Sequence, residues 1–475
     1  MTLSGEELRA RLREILGADA VLTAAADCAP YLTDHRQLYH GAALAVLRPR
    51  TVAQVSQVLA CCNAARVGVV PHGGNTSYCG GATPDESGRQ LVLSLQRLNR
   101  IRSLDAANYS LVAEAGCILG QLHAAAEQAE RHLPLTLGSQ GSCQIGGNLS
   151  TNAGGTSVLR YGMARDLVLG LEVVLPDGRV LDALSALRKD NTGYDVKSLF
   201  LGAEGTLGVI TAATLKLFPM ARDVATAFAA VTDVRAAVTL LARLREATSD
   251  RVSSFELIPR IAVELTTRHI PQVTDPLDRP HDWYVLCEVS SSRPADGMEE
   301  LLGNALSAAL ADELVLDAAV ARNGRERAAL WKLRESIPEA QRKEGASLKH
   351  DIAVPVAALP DFLARASAWV SVNAPLGRLI AYGHLGDGNL HFNLNAAPGV
   401  DAQRFLAEAP RVGRTIHDLV REFGGSFSAE HGIGRLKVGE LEHYANAVEL
   451  QLMRAVKTAF DPHGIMNPGK VLRAK

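Results

Sequence analysis

"LTLGSQGSCQIGGNLSTNAGG", residues 135–155, places six glycines among serine, threonine and asparagine within one short stretch. Glycine lets a backbone approach a ligand closely and turn its amides inward, which is how loops cradle phosphate oxygens. One such loop could equally be a set of turns. Two more stand in the same part of the chain, "VVPHGGNTSYCGG" (69–81) and "FLGAEGTLGVIT" (200–211), and three together favour an anion cradle. None of them reads GxGxxG between a strand and a helix, or GxxxxGK followed by Ser or Thr, so the nicotinamide and P-loop signatures are absent. The pattern asks for a different dinucleotide binder.

Around these loops, residues 40–220 alternate short apolar runs with helical periods. "LVLGLEVVLPDGRVLDA" (167–183) reads as a hairpin turned at Pro176, Asp177 and Gly178. "TVAQVSQVLACCNAARV" (51–67) repeats Val52, Val55, Leu59 and Cys62 at helical spacing. Past residue 220 the composition shifts to alanine-rich helices such as "DVRAAVTLLARLREAT" alternating with strand-like pieces such as "DWYVLCEVS". This second part reads as a helix-covered antiparallel sheet, and the whole as an α+β protein. The tail "FDPHGIMNPGKVL" reads as an ordered loop after the last helix.

At 475 residues the chain is too long for one core, since domains run to about 100–200 residues. A net charge of −2 gives no electrostatic footprint for nucleic acid or an anionic membrane. The N-terminal "MTLSGEELRARLREIL" is charged and helix-like, with no apolar leader, and no run of eighteen apolar residues occurs; the expectation is a cytoplasmic protein. The seven cysteines are odd in number and lack CxxC spacing, so reduced, mostly buried thiols are expected rather than a disulfide framework or thiolate zinc site.

A second chemical centre is suggested by "GHLGDGNLHFNL" (383–394). Gly386 and Gly388 supply turning chemistry that brings His384 back beside His391. In the following strand His391, Asn393 and Asn395 share one face, with Phe392 and Leu394 on the other, which predicts a strand with one wet face. The imidazoles are then either ligands or polar residues capping a strand. "SFSAEHGIGRLK" adds Glu430 and His431 in a glycine-bounded turn after a helix. Two histidines and a carboxylate make a three-ligand site for a divalent ion that keeps positions open. In "ALWKLRESIPEAQ", Leu330, Leu333, Ile337 and Ala340 form a helical apolar stripe with Arg334 at its edge.

The three glycine loops in this order, followed by "GHLGDGNLHFN", "SAEHGIG" and "NPGK", resemble the flavin-dependent 2-hydroxyacid dehydrogenases of the vanillyl-alcohol oxidase and p-cresol methylhydroxylase superfamily, on the D-2-hydroxyglutarate and D-lactate dehydrogenase branch. The resemblance runs from about residue 40 to 472. It implies a two-part FAD-binding domain of the p-cresol methylhydroxylase type over residues 1–220, a C-terminal substrate (cap) domain over 221–430, and a segment, 431–475, returning to the flavin. It implies that Pro71, Gly73, Gly74, Asn75 and Thr76 wrap the FAD pyrophosphate. Gly138, Ser139, Gly141, Ser142, Gly146, Asn148, Thr151, Asn152, Gly154 and Gly155 line the same cofactor, with Gly205, Ile210 and Asn467. Members that tether FAD through histidine carry it where Asn75 stands, so non-covalent FAD is expected.

The resemblance further implies a metal, Zn2+ or else Mn2+, on His384, His391 and Glu430, with His431 as general base. Asn393, Arg334 and Lys349 are implied to hold the substrate, a small D-2-hydroxy acid. The related D-2-hydroxyglutarate enzymes tend to carry a hydroxyl residue where Pro338 stands, which keeps D-lactate and other monocarboxylates open as substrates. A metallohydrolase using the same three ligands is the rival from another class. The expected electron acceptor is a quinone, an electron-transfer flavoprotein or a cytochrome rather than NAD. No nucleic-acid partner is expected, and a homodimer is allowed.

Overall fold

The computed structural model describes residues 5–474. They form two compact units, one built from Met1–Gly154, Gly162–Met220 and Glu430–Lys475, the other from Gly155–Tyr161 and Ala221–Ala429.

The first unit contains two main sheets, beside the short pair Arg131–His132 with Phe218–Pro219. The smaller has strands Val21–Leu22, Ala45–Leu47, Leu91–Ser94 and Val69–His72 in that order, the last three parallel. Helix Val52–Ala65 makes the crossover between Ala45–Leu47 and Val69–His72; the Thr51 hydroxyl caps it by accepting from the Gln54 amide at 3.2 Å. Its Val55, Leu59 and Cys62 are buried as their spacing predicts, against Leu8 and Leu12 of the N-terminal helix Gly5–Leu16. The larger sheet is antiparallel, in the order Ile101–Asp105, Ser110–Glu114, Val209–Lys216, Val168–Val174, Val180–Ala183. Its last two strands are the hairpin read from the sequence, with Gly178 at φ 90° in the turn. The tail is ordered as expected. After helix Ala447–Phe460 the Asp461 carboxylate accepts from the Ile465 and Met466 amides at 3.0 and 2.8 Å, and Met466 bridges to Val69.

The second unit is an antiparallel sheet covered on both faces. Its order is Val315–Val320, Asp223–Val231, Trp283–Ser291, Val252–Pro259, Gly377–His384, Asn389–Ala396, Ser347–Leu348, with Asp351–Ala353 also on Asn389–Ala396. Helices Val234–Ala247, Met298–Ala311 and Leu359–Asn373 bury one face; Arg260–His269, Gly324–Glu335 and Ile337–Glu344 bury the other. Residues 155–161 pack here too, as Ser254 donates to the Thr156 carbonyl at 2.8 Å and Arg160 to the Ser290 carbonyl at 2.6 Å.

Two local expectations are overturned. The apolar stripe Leu330, Leu333, Ile337, Ala340 is buried, but it runs over two helices broken at Ser336, because a proline at 338 removes an amide and disfavours helical backbone just before it. The strand Asn389–Ala396 has no wet face. Phe392 and Leu394 lie in the main core, and Asn393 and Asn395 are equally buried because helix Ile337–Glu344 lays Gln341 over them.

All seven cysteines are free, and all but the half-buried Cys61 are buried. Among the described residues no helix is long and apolar enough to cross a membrane.

The hairpin that carries the two histidines turns on Gly388, at φ +86°, where an added Cβ would lie 2.1 Å from the Val354 carbonyl oxygen. Gly399, at φ +80°, has nothing within 4 Å of its would-be Cβ. Gly399→Ala should therefore cost only the left-handed penalty of about 1–2 kcal/mol. Gly388→Ala should cost clearly more. Urea midpoints of the two variants measure this, and equal losses would show that the Val354 contact relaxes freely.

Candidate functional site

In the first unit the glycines divide by what faces them. Gly74 brings the first loop onto the second, since a Cβ there would meet the Ser142 carbonyl oxygen at 2.4 Å. Gly205, at φ +69°, brings the third loop onto the first, where a Cβ would meet Pro71 at 2.9 Å. Gly146 lies as tightly on Ala115, at 2.5 Å. Added side chains at Gly138 and Gly141, by contrast, would meet no protein atom within 4 Å. The first set joins the loops; the second stands exposed beside them. Buried acceptor oxygens with no hydrogen-bond partner among the described residues, Oε1 of Gln144, Oδ1 of Asn148 and Oδ1 of Asn467, stand in the same loops and tail. Buried polar atoms are almost always paired, so these fit a ligand bearing N–H and O–H donors. A dinucleotide with adenine and sugar hydroxyls supplies both.

Several residues expected to line the cofactor also hold the loops. Asn75, at φ 52°, donates to the Thr33 carbonyl at 2.8 Å. Asn152 accepts from the Arg165 amide at 2.9 Å, and Thr151 donates back to the Gly147 carbonyl at 3.1 Å. Ser142 donates to the Ser139 carbonyl at 3.3 Å. Asn467 donates to the Gly81 and Glu204 carbonyls at 2.9 and 2.8 Å, tying the tail to the first and third loops. Ile210 is buried in strand Val209–Lys216, while Pro71, Gly73, Thr76, Gly154 and Gly155 lie in or beside the loops as the sequence places them.

His431 belongs to this unit, its ring stacked on Tyr78 with centroids 4.5 Å apart. The turn that follows it is held by Glu204, whose carboxylate accepts from the Ile433 amide at 2.7 Å and the Gly434 amide at 2.8 Å. Burial raises this carboxyl to about 6 against the pull of those amides and of Lys437. The sequence reading missed Glu204; its signal was a lone carboxylate inside a glycine loop.

In the second unit, register puts directly paired residues on one face. One row across the sheet reads Thr226, Glu288, Ser254; the next reads Phe228, Leu286, Glu256, His384; the third reads Ala230, Tyr284, Ile258. The face grows polar toward one end, and helix Gly324–Glu335 lies over it. Trp331 donates to Glu288 at 2.9 Å, and Arg334, one turn later, donates its Nε to Glu256 at 2.6 Å. The other Glu256 oxygen lies 2.6 Å from His384 Nδ1. Burial alone would raise the Glu256 carboxyl, but the Arg334 guanidinium and the His384 imidazole bring it down to about 2. An ionised carboxylate only accepts, so His384 donates to it from Nδ1.

The hairpin does what the glycines promised. His384 and His391 have ring centroids 5.6 Å apart and ligand nitrogens within 4.8 Å of each other. A carboxylate oxygen of Asp351, which the sequence reading did not single out, lies as close to His391. Ala429 donates its amide to the Asp351 carbonyl at 3.3 Å, and Glu430 follows it directly in the chain. Two imidazoles, one with its tautomer fixed, suit a divalent ion. Arg334 is buried, with its guanidinium 4.9 Å over the Tyr382 ring and Nη2 bonded to no described atom. Lys349 is half-buried between the short strands Ser347–Leu348 and Asp351–Ala353. Asn393 donates to Gln341 at 3.1 Å and accepts from the His350 amide at 3.2 Å, so these two bonds serve the fold.

Comparison with known proteins adds to this geometry. Residues 43–184 match the family model "FAD binding domain", and residues 220–471 match "FAD linked oxidases, C-terminal domain". A "Probable D-2-hydroxyglutarate dehydrogenase, mitochondrial" of Oryza sativa subsp. indica is 38% identical over 91% of this chain and 76% of its own length. The "D-2-hydroxyglutarate dehydrogenase, mitochondrial" of Arabidopsis thaliana is 37% identical over 97% of this chain and 80% of its own. Among solved structures, p-cresol methylhydroxylase with substrate bound superposes with a TM-score of 0.77 at 16% identity, covering 98% of this chain and 97% of that one. The α+β fold expected from the sequence is thus of that type.

His72, on the first glycine-loop strand, is lowered by burial to about 4. A base depressed in the folded state binds its proton more readily when unfolded, so its contribution is complete above pH 6.5 and is lost as pH falls toward 4. At 1.36 kcal/mol per unit, that loss is roughly 3 kcal/mol. His72→Phe should flatten the stability profile over this window, measured by urea unfolding at several pH values; an unchanged slope would mean that His72 does not titrate there.

Proposed function

We propose that this chain, which belongs to the family of FAD-linked oxidases, oxidises a D-2-hydroxy acid to the 2-oxo acid, with D-2-hydroxyglutarate preferred. The observation that carries this reading is the buried Arg334. Its Nε is fixed on Glu256, which also holds His384, and its Nη2 has no partner among the described residues. A buried planar donor of this kind suits a carboxylate.

Bound FAD supplies the hydride acceptor, and a bound divalent ion polarises the substrate hydroxyl and lowers its pKa. The chain's own residues do the rest. His384, His391 and Glu430 hold the ion, Zn2+ or else Mn2+. His431 takes the hydroxyl proton on an imidazole nitrogen, imidazole being the commonest general base. Arg334 and Lys349 orient the carboxylates so that the C2 hydrogen faces the flavin. Gly138, Gly141, Asn148 and Asn467 bind FAD without a covalent bond, because Asn75 offers no nucleophile. Electrons leave to a quinone, an electron-transfer flavoprotein or a cytochrome. A metallohydrolase would have no use for the orphaned acceptors of the glycine loops and tail.

Pro338 supports a second reading. It stands in the first turn of helix Ile337–Glu344 and offers no donor there, which eases acceptance of a less polar substrate end such as that of D-lactate. Anaerobic flavin reduction by D-2-hydroxyglutarate, D-malate, D-lactate and D-2-hydroxyisocaproate separates the two. A dicarboxylate should react with the highest kcat/KM, and preference for either monocarboxylate overturns the D-2-hydroxyglutarate assignment.

The protein should carry one FAD, released intact by acid, leaving a colourless chain; flavin retained after denaturation would contradict the non-covalent assignment. His384→Ala, His391→Ala or Glu430→Ala should each remove the divalent ion by elemental analysis while preserving the flavin spectrum. His431→Ala should keep the ion yet slow flavin reduction about a hundredfold to ten-thousandfold. A rate within a few fold of wild type would remove His431 from the mechanism.

A further inference from the structure

Glu256 is the most enclosed acid among the groups around the histidine hairpin, with no exposed surface at all. Its two oxygens serve different partners. Oε2 accepts from Arg334 Nε and Oε1 from His384 Nδ1, each at 2.6 Å. It sits on the strand Val252–Pro259, whose neighbours Phe255 and Leu257 face the opposite core, so its carboxylate points across the polar end of the sheet. Register places Glu256 directly opposite His384, and helix Gly324–Glu335 brings Arg334 down from above.

We infer that Glu256 is a positioning residue shared by the ion site and the carboxylate site. This rests on the proposed function, in which His384 is a ligand and Arg334 a carboxylate anchor. Toward His384 it acts as an acceptor: by accepting a hydrogen bond from Nδ1–H it fixes the tautomer, orients the ring and makes Nε2 the more basic donor to an ion. Toward Arg334 it acts as a clamp. With Nε on Glu256 and the guanidinium plane over Tyr382, the rotation of the group is settled and Nη2 is left for an incoming carboxylate. One carboxylate thereby sets the distance between the ion that holds one end of a hydroxy acid and the donor that holds another of its groups.

Amide substitution separates these roles from bulk. Glu256→Gln keeps the shape and can still accept one hydrogen bond, but it removes the charge that balances Arg334 and strengthens His384. Competition of Zn2+ and of Mn2+ between the FAD-loaded protein and a chelator is the direct readout. Affinity should fall about ten- to hundredfold, with flavin content unchanged. Flavin reduction should recover kcat when the ion is in excess, while KM for D-2-hydroxyglutarate stays raised because Arg334 has lost its clamp. Arg334→Gln, which leaves the Glu256–His384 bond in place, should raise KM without loosening the ion.

Equal chelator competition by wild type and Glu256→Gln overturns the inference and leaves the proposed function standing. A wild-type protein that takes up neither ion overturns both. Should the single substitution unfold the chain, the double variant Glu256→Gln with Arg334→Gln removes both charges of the pair. It should show the same loss of ion affinity against Arg334→Gln alone, and no loss there again overturns the inference.

Discussion

A carboxylate with no exposed surface in the middle of a sheet is the constraint around which the second unit is arranged. Taking such an ion out of water costs several kcal/mol even after relaxation, and an apolar sheet face offers nothing in return. Glu256 is tolerable only because a guanidinium and an imidazole reach it from opposite sides. That requirement fixes more than two side chains. It sets the rotation of helix Gly324–Glu335 over strand Val252–Pro259, and the same rotation puts Trp331 within hydrogen-bond distance of Glu288 one row away. It also sets where strand Gly377–His384 ends, so the turn toward His391 begins at a defined place.

The first unit obeys a different constraint, the closeness with which backbones approach. Gly74 and Gly205 are glycine because the neighbouring loop occupies the room a Cβ would need. Gly138 and Gly141 are exposed with ample room, so packing makes no demand for glycine there, and under the proposed function the demand comes from the cofactor. The same residue type thus records two demands in one stretch of chain. Asn467 and Glu204 then hold the loops, the first through backbone carbonyls and the second through the amides after His431.

Much of this was legible in the sequence because it depends on local patterns. The helix Val52–Ala65, the Pro176–Gly178 hairpin and the approach of His384 to His391 each follow from spacing and turn residues within about twenty positions, and the covered sheet from alanine-rich helices alternating with strand-like pieces. What was not legible depends on partners far away in sequence. Glu256 meets His384 across 128 positions and Arg334 across 78, and no periodicity announces such a meeting. A trace existed, since an acid set between Phe255 and Leu257 in a buried strand has to be matched somewhere. The wet face assigned to Asn393 and Asn395 failed for a related reason: amide side chains satisfied by Gln341 look the same in sequence as amides satisfied by water. The stripe around Arg334 was read correctly for burial and wrongly for continuity, because the proline two residues past Ser336 was given too little weight.

The pairing of Arg334 also changes how the site would select a substrate. A bare cation attracts any anion, and the attraction weakens only slowly with distance. Arg334 has its charge balanced by Glu256, so what remains is direction: one buried N–H group, at Nη2, with no partner among the described residues. A substrate that brings an oxygen to it gains a charge-assisted hydrogen bond. A substrate of similar size that brings a methyl group leaves the donor buried and unpaired, at about 1–3 kcal/mol, or roughly five- to a hundred-and-fifty-fold in affinity. Discrimination of this kind survives moderate salt, because a desolvated hydrogen bond is screened far less than a surface charge. Under the proposed function a proline at 338 is compatible with a polar substrate: with Arg334 supplying the donor, a further hydroxyl nearby would add strength to recognition without being what makes it directional.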